Sequence, residues 1–287
     1  MNQSEFYDLY LKSGYKLGPI ACSDEFYRQS FGVGQSTLKL MERSPAKCLW
    51  DLEHPKKSTE AQELGTAIHC ALLEPDVFEK TYVIKPKFDK RTTAGKAAAL
   101  AWDESNQGRI GIDPDNMDIL NRVASRVFDN EFYSSFFKEG LKENSFWSKD
   151  QISGVAKRAR LDNFITNKKI IVDLKTTDCA YPDIFSRDIW KYKYHVQAAY
   201  YVDIVKEVTG LDCSFFIVAV EKTKDCDVTV HMIGHEALSH GRALYRGWLD
   251  DYAKAIQNKV WPGYKQEIHT YSLPSWVDDD CFEWENF

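Results

Sequence analysis

The stretch from Val155 to Thr177 constrains this chain more than any other. It reads Val155-Ala-Lys-Arg-Ala-Arg160-Leu-Asp162-Asn-Phe-Ile165, then Thr166-Asn-Lys-Lys169, then Ile170-Ile-Val-Asp173-Leu-Lys175-Thr-Thr177. Two β-prone runs flanking a short polar segment predict a hairpin. With Asn167-Lys168 at the tip, Ile165 faces Ile170, and counting outward sets Asp162 opposite Asp173 and Arg160 opposite Lys175. Side chains alternate along a strand, so all four are expected on one face. Directly opposed carboxylates repel each other, and a divalent cation is the simplest compensation. Oxygen ligands of this kind suit Mg²⁺ or Mn²⁺. The plainer alternative is a solvated charge ladder. Against it, Asp173 interrupts the apolar run Ile170-Ile-Val-x-Leu174, a pattern typical of a strand buried on both faces. Buried acids rarely stand without a partner.

A length of 287 residues allows one large domain or two small ones. The net charge of −6 argues against a broad, nonspecific nucleic-acid coat, although a basic channel can exist on an acidic protein. Basic residues concentrate in Lys85–Lys96 and in Lys157-Arg158-x-Arg160, and acids in Asp278-Asp-Asp280 and Glu283-Trp-Glu285. The seven cysteines are scattered and form no C-x-x-C pair, which disfavours a disulfide framework, a zinc ribbon or an iron–sulfur cluster. His231, His235 and His240 have poor spacing for a zinc set. The first residues carry no basic, apolar leader. The longest apolar run, Phe215–Val220, is too short to span a bilayer. The expectation is a cytoplasmic, reduced protein without membrane contact.

Residues 1–34 show no clear period and are expected to be an N-terminal extension or an oligomer contact. Ser36 is expected to cap a helix through Met41, and Ser44-Pro45 to start another. Ser58-Thr59-x-x-Gln62 resembles a capping box, opening a helix with Leu64, Ala67, Ile68, Ala71 and Leu72 as its apolar stripe and Pro75 as its end. Residues 80–96 read as extended and exposed, and 97–145 as helical. After the hairpin come a helix over Tyr192–Val208, strands over Ser214–Val220 and Val228–Ile233, and a long helix over Glu236–Asn258. This order predicts an α/β fold with a mixed central β-sheet flanked by helices.

The hairpin, the Gly65-Thr-Ala-Ile-His69 helix and the Gln197-Ala-Ala-Tyr-Tyr201 helix together resemble the PD-(D/E)XK nuclease superfamily. More narrowly, they resemble its RecE-type exonucleases, over roughly residues 35–275. Supporting stretches are Ser36-Thr-Leu-Lys-Leu, Leu64–Pro75, Phe88–Lys96, Arg160-Leu-Asp162 and Val172–Thr177. D-x-K alone is common; the ordered set is specific. The usual proline before the first acid is absent.

The resemblance implies a nuclease core over 35–275; beyond it the clustered acids mark an acidic tail at 276–287. Asp162, Asp173 and His69 would hold Mg²⁺ (or Mn²⁺), joined by the carbonyl of Leu174. Lys175 would orient the attacking water and stabilise charge building on the phosphate. Glu63 and Glu74 lie within two turns of His69 and are weaker candidates. Gln197 and Tyr201 share a helix face and match an element that supports the active site and contacts DNA. Arg160 would hold a phosphate, and Lys90, Arg91 and Lys96 the DNA backbone.

The implied activity is Mg²⁺-dependent exonuclease action on linear double-stranded DNA, 5′ to 3′, leaving 3′ single-stranded overhangs. The implied setting is bacterial or phage recombination, with a ring-shaped homo-tetramer and a RecT-like single-strand annealing protein. A structure-specific or restriction-type endonuclease on the same fold, and a noncatalytic DNA-binding protein, are the competing readings.

Overall fold

The computed structural model describes residues 2–270. It opens with α1 (Gln3–Lys12), β1 (Lys16–Ala21), α2 (Asp24–Gln29), α3 (Gln35–Leu40), α4 (Pro45–Glu53), α5 (Glu60–Leu73) and α6 (Pro75–Thr81). Next come β2 (Tyr82–Ile84), α7 (Thr93–Ser105), β3 (Ile110–Ile112), α8 (Pro114–Phe128) and the short α9 (Glu131–Ser134). Then follow β4 (Leu141–Lys149), β5 (Ala156–Ile165), β6 (Ile170–Thr177), α10 (Pro182–Lys191) and α11 (Tyr194–Thr209). The described elements end with β7 (Ser214–Glu221), β8 (Val228–Met232) and α12 (His235–Asn258).

Six strands form one mixed sheet in the order β1-β4-β5-β6-β7-β8, and β2 pairs with β3 in a small parallel ribbon. Within the large sheet β6 and β7 run parallel; the other neighbours are antiparallel. The parallel pair needs a crossover, and α10 with α11 supplies it. One face of the sheet carries Phe146, Ala159, Leu161, Ile171, Phe215 and Ile217 against α3, α10, α11 and α12. The other carries Ile165, Val172, Leu174, Val218 and Val220 against α5 and α8. Burying both faces explains why β6 and β7 read as nearly continuous apolar runs.

Local chemistry sets the helix starts. Ser44 accepts from the Lys47 amide with Pro45 in the first turn, and Thr59 and Gln62 form a reciprocal capping box. Ser36 is not the cap of α3; Gly34 holds that position without a side-chain bond.

Two expectations need correction. The first 34 residues are not appended outside the sheet: β1 is its edge strand, and Phe6 and Tyr10 of α1 bury against Leu17 and Trp147. Their aromatic content fills a satellite core, which has no simple period because a helix, a strand and a loop each contribute. Residues 97–145 are not all helical either. β3 and β4 interrupt them, and β4 pairs with both β1 and β5. The expected acidic tail, 276–287, lies outside the described residues.

Candidate active site

The hairpin forms with the predicted tip: Thr166–Lys168 make one 3₁₀ turn and Lys169 closes it in a left-handed conformation. Ile165 faces Ile170, Phe164 faces Ile171 and Asn163 faces Val172. The ladder then stops. Ala159, Leu161 and Phe164 all join the same core layer, so the two-residue alternation slips once between Leu161 and Phe164. Asp162 sits at the slip. Its carboxylate turns into the gap between the strands and accepts from the Leu174 amide at 2.7 Å. Arg160 therefore does not oppose Lys175. It pairs with Ser145 of β4, while Lys175 pairs with Ala219 of β7.

The slip has a counterpart on β4. Glu143 is held in the left-handed region, at φ 50°, an uncommon conformation for a residue with a side chain. The ladder skips the Glu143/Asp162 position while Lys142↔Asn163 and Asn144↔Leu161 pair on either side. This irregularity aims Glu143 at His69 Nδ1 (3.4 Å), and His69 Nε2 lies 2.9 Å from Asp162. Strain of this kind persists where surrounding structure enforces it, often at functional sites.

His69 reaches the strands because α5 packs unusually close to β6. A Cβ on Gly65 would lie 2.8 Å from Thr176 Oγ1. The Gly-Thr-Ala-x-His pattern thus has a mechanical basis: the glycine permits the approach, and the histidine one turn later faces the carboxylates.

Asp173, 1% exposed, accepts from Gln197 Nε2 at 2.6 Å and pairs with Lys175 Nζ at 2.7 Å. Arg160 donates through Nε to Glu143 at 2.6 Å and through Nη1 to the Cys22 carbonyl at 2.8 Å. His69, Glu143, Arg160 and Lys175 line a cleft of about 870 Å³ together with Gly65, Glu74, Tyr194 and Lys222, and Asp162 and Asp173 contact His69 and Lys175 behind that lining.

The electrostatics follow from burial and crowding. Burial pushes the Asp173 carboxyl up to about 6; Lys175 pulls it back, and Asp162 adds to the rise. Burial and Asp162 also raise Glu143 against the pull of His69 and Arg160. For Asp162 burial alone would raise the carboxyl, but His69, Lys175 and the Leu174 amide outweigh it and hold it low. Burial alone would lower the His69 imidazole; Asp162 and Glu143 overcome this and raise it to about 9. Lys175 is raised likewise, with Asp173 and Asp162 outweighing burial.

Among the described residues, one grouping of His, Cys, Asp or Glu brings ligand atoms within 4.8 Å of one another: His69, Glu143 and Asp162. Two carboxylates and an imidazole suit a small divalent cation of the Mg²⁺ or Mn²⁺ type. Burial is the first cause of the raised Asp173 and Glu143 carboxyls and Asp162 adds to both; a divalent ion would favour their charged forms. Glu143 was missed in the sequence because β4 itself was missed. The β-prone Phe146-Trp147 beside a polar run was the available signal.

The remaining candidates separate. Tyr201 sits beside Gln197 in a neighbouring pocket with Gln35 and Arg158. Lys90, Arg91 and Lys96 are exposed and do not line the cleft, and Arg91 pairs with Asp89 at 2.9 Å. Glu63 turns to Ser58. His231 contacts Thr229, and His240 contacts His195.

The chain matches the family described as "PDDEXK-like domain of unknown function (DUF3799)" over residues 34–273. No curated protein matches it in sequence. Among solved structures it is similar to a protein of Eubacterium rectale provisionally named an exonuclease, at 14% identity and TM-score 0.60, covering 89% of this chain and 97% of the other. A phage-related exonuclease of Haemophilus somnus 129PT aligns at 15% identity over 68% of this chain and 94% of its own, with a TM-score of 0.33. The former likeness supports the fold; the latter is too distant to carry weight.

Proposed function

The chain belongs to this family of PDDEXK-like domains, and from that premise we propose that it is a Mg²⁺-dependent exonuclease acting on linear double-stranded DNA, with Mn²⁺ as an alternative ion. The observation that carries the reading is the convergence of His69, Glu143 and Asp162 beside the buried Asp173–Lys175 pair. His69, Asp162 and Glu143 would hold the ion, with Asp173 and the Leu174 carbonyl completing its surroundings. When bound, the ion would supply Lewis-acid stabilisation of the phosphate and a more acidic water.

Each other part is assigned to this chain's own groups. The Lys175 ammonium, kept protonated by Asp173 and Asp162, stabilises charge developing on the phosphate. Gln197 fixes the Asp173 carboxylate and through it Lys175. Arg160 is a positioning residue for Glu143, because its Nε and Nη1 are already engaged. Tyr201 supports Gln197, and Lys90, Arg91 and Lys96 contact phosphates beyond the cleft. The exonuclease polarity (5′ to 3′), the 3′ overhangs, the annealing partner and the tetrameric ring rest on the RecE-type motifs. A ring would retain DNA by topology, which accords with a net charge of −6.

The test uses linear duplex labelled separately at the 5′ and 3′ ends, with closed-circular DNA alongside, in Mg²⁺, in EDTA and with Asp173→Ala. Mg²⁺-dependent early loss of the 5′ label, spared circles and an inert variant are expected. Cut circles would point to an endonuclease. Retention of DNA without cleavage would point to a binding protein.

A further inference from the structure

Beside the cleft, on the side of α11, lies a run of aromatic rings and ammoniums that the catalytic assignment leaves unused. Lys175 Nζ stands 4.9 Å from the centroid of Tyr194. Tyr194 lies 5.7 Å from Tyr192, centroid to centroid. Tyr192 is 41% exposed, with Lys39 Nζ at 5.8 Å and Lys191 Nζ at 5.0 Å from its ring. The rings therefore form a continuous path leading outward from the catalytic lysine.

The charge along this path is unevenly compensated: Lys175 pairs with Asp173 at 2.7 Å. Lys193 pairs with Glu42 at 2.9 Å, whereas Lys39 donates only to the Tyr192 carbonyl, at 2.8 Å. Burial, together with Lys193 and Lys175, holds the Lys39 ammonium below the ordinary lysine range despite Glu42. A half-buried ammonium that has a carbonyl but no ion-paired carboxylate favours an anion beside it. Aromatic rings interleaved with cations, here the exposed Tyr192 and the half-buried Tyr194, are the chemistry of single-stranded nucleic acid: bases stack on the rings and phosphates meet the ammoniums. Base-paired nucleotides could not use the rings, since their bases are already stacked, so on a linear duplex the rings would engage only unpaired nucleotides at the end.

We propose that Tyr192 and Tyr194, with Lys39 and Lys191, form a single-strand subsite that receives the nucleotides adjoining the scissile phosphate. The proposal rests on the nuclease reading for its place in the reaction, but its binding chemistry can be measured separately. The probe is a short fluorescein-labelled oligo-dT, followed by anisotropy in EDTA so that nothing is cleaved. The variants are Tyr192→Ala, Tyr192→Phe and Lys39→Ala, each checked by thermal melting. Wild type should bind, Tyr192→Ala and Lys39→Ala should lose about fivefold or more, and Tyr192→Phe should stay within about twofold. In Mg²⁺, Tyr192→Ala should raise KM for linear duplex more than it lowers kcat. Unchanged binding in both alanine variants, or a phenylalanine variant as weak as the alanine one, overturns the subsite. If wild type cleaves duplex but oligo-dT binding ignores Tyr192, the subsite alone fails. If oligo-dT binds through Tyr192 and no DNA is cleaved, the nuclease reading fails and the subsite stands.

Discussion

Replacing Asp173 by asparagine should stabilise the metal-free protein while abolishing its activity. The Asp173 carboxyl is buried and raised from an ordinary 3.8 to about 6, even with Lys175 beside it. Asparagine mimics the protonated form and can still accept from Gln197. At about 1.4 kcal/mol per pH unit, the gap amounts to at most roughly 3 kcal/mol. The sign follows from a folded-state value above the unfolded one: the carboxylate penalty is absent below about pH 4, grows between 4 and 6, and is complete above 6. In EDTA at pH 8 the variant should melt higher than wild type by about 5 °C for a chain of this size. The difference should shrink as pH falls toward 4. Adding Mg²⁺ should raise the wild-type melting temperature more than that of the variant, with nuclease activity down at least about 100-fold. A variant less stable than wild type at pH 8 would refute the reasoning, because the ion pair with Lys175 would then outweigh desolvation and crowding.

Metal binding should also report on His69, whose raised value of about 9 reflects Asp162 and Glu143 overcoming burial. The stabilisation from that protonated contact is full below about 6.5 and lost as pH rises through 9. An incoming ion must displace the proton, so Mn²⁺ affinity should tighten about tenfold per pH unit between those values and level off above. Calorimetry in buffers of different ionisation enthalpy should show about one proton released near neutrality, and a pH-independent affinity would exclude His69 as a ligand. Glu143→Gln should weaken Mn²⁺ binding roughly 10- to 100-fold without unfolding the protein; unchanged affinity would remove Glu143 from the metal site. Gly65→Ala should cost about 1–3 kcal/mol by overpacking against Thr176 and lower activity by displacing His69. Adding Thr176→Ala should recover much of both, and failure of that rescue would show that the close approach of α5 is not what positions the histidine.

Much of the framework was legible in the sequence because local rules govern it. β-prone apolar runs marked β5 to β8, capping chemistry marked the starts of α4 and α5, and D-x-K with the helical Gln197 marked the core of the candidate site. Even the hairpin tip and its first three cross-strand pairs follow from counting. Counting fails at Asp162, where alternation slips opposite a left-handed Glu143. That irregularity is enforced by neighbours distant in sequence: His69 from α5, Arg160, and the carbonyl of Cys22. No local pattern encodes it, because a strand with or without the slip presents the same residue types.

What the sequence determined by itself is therefore the fold class and the kinds of chemical group available. Hydrophobic period and capping act over a few residues and can be read there. Only the tertiary structure decided that Glu143 joins His69 and Asp162, that Arg160 serves Glu143, and that the first 34 residues complete the sheet. It also placed Tyr192 and Lys39, separated by 153 positions, on one path beside Lys175. These relations depend on close approach between distant segments, which a glycine at residue 65 and a left-handed strand residue at 143 make possible.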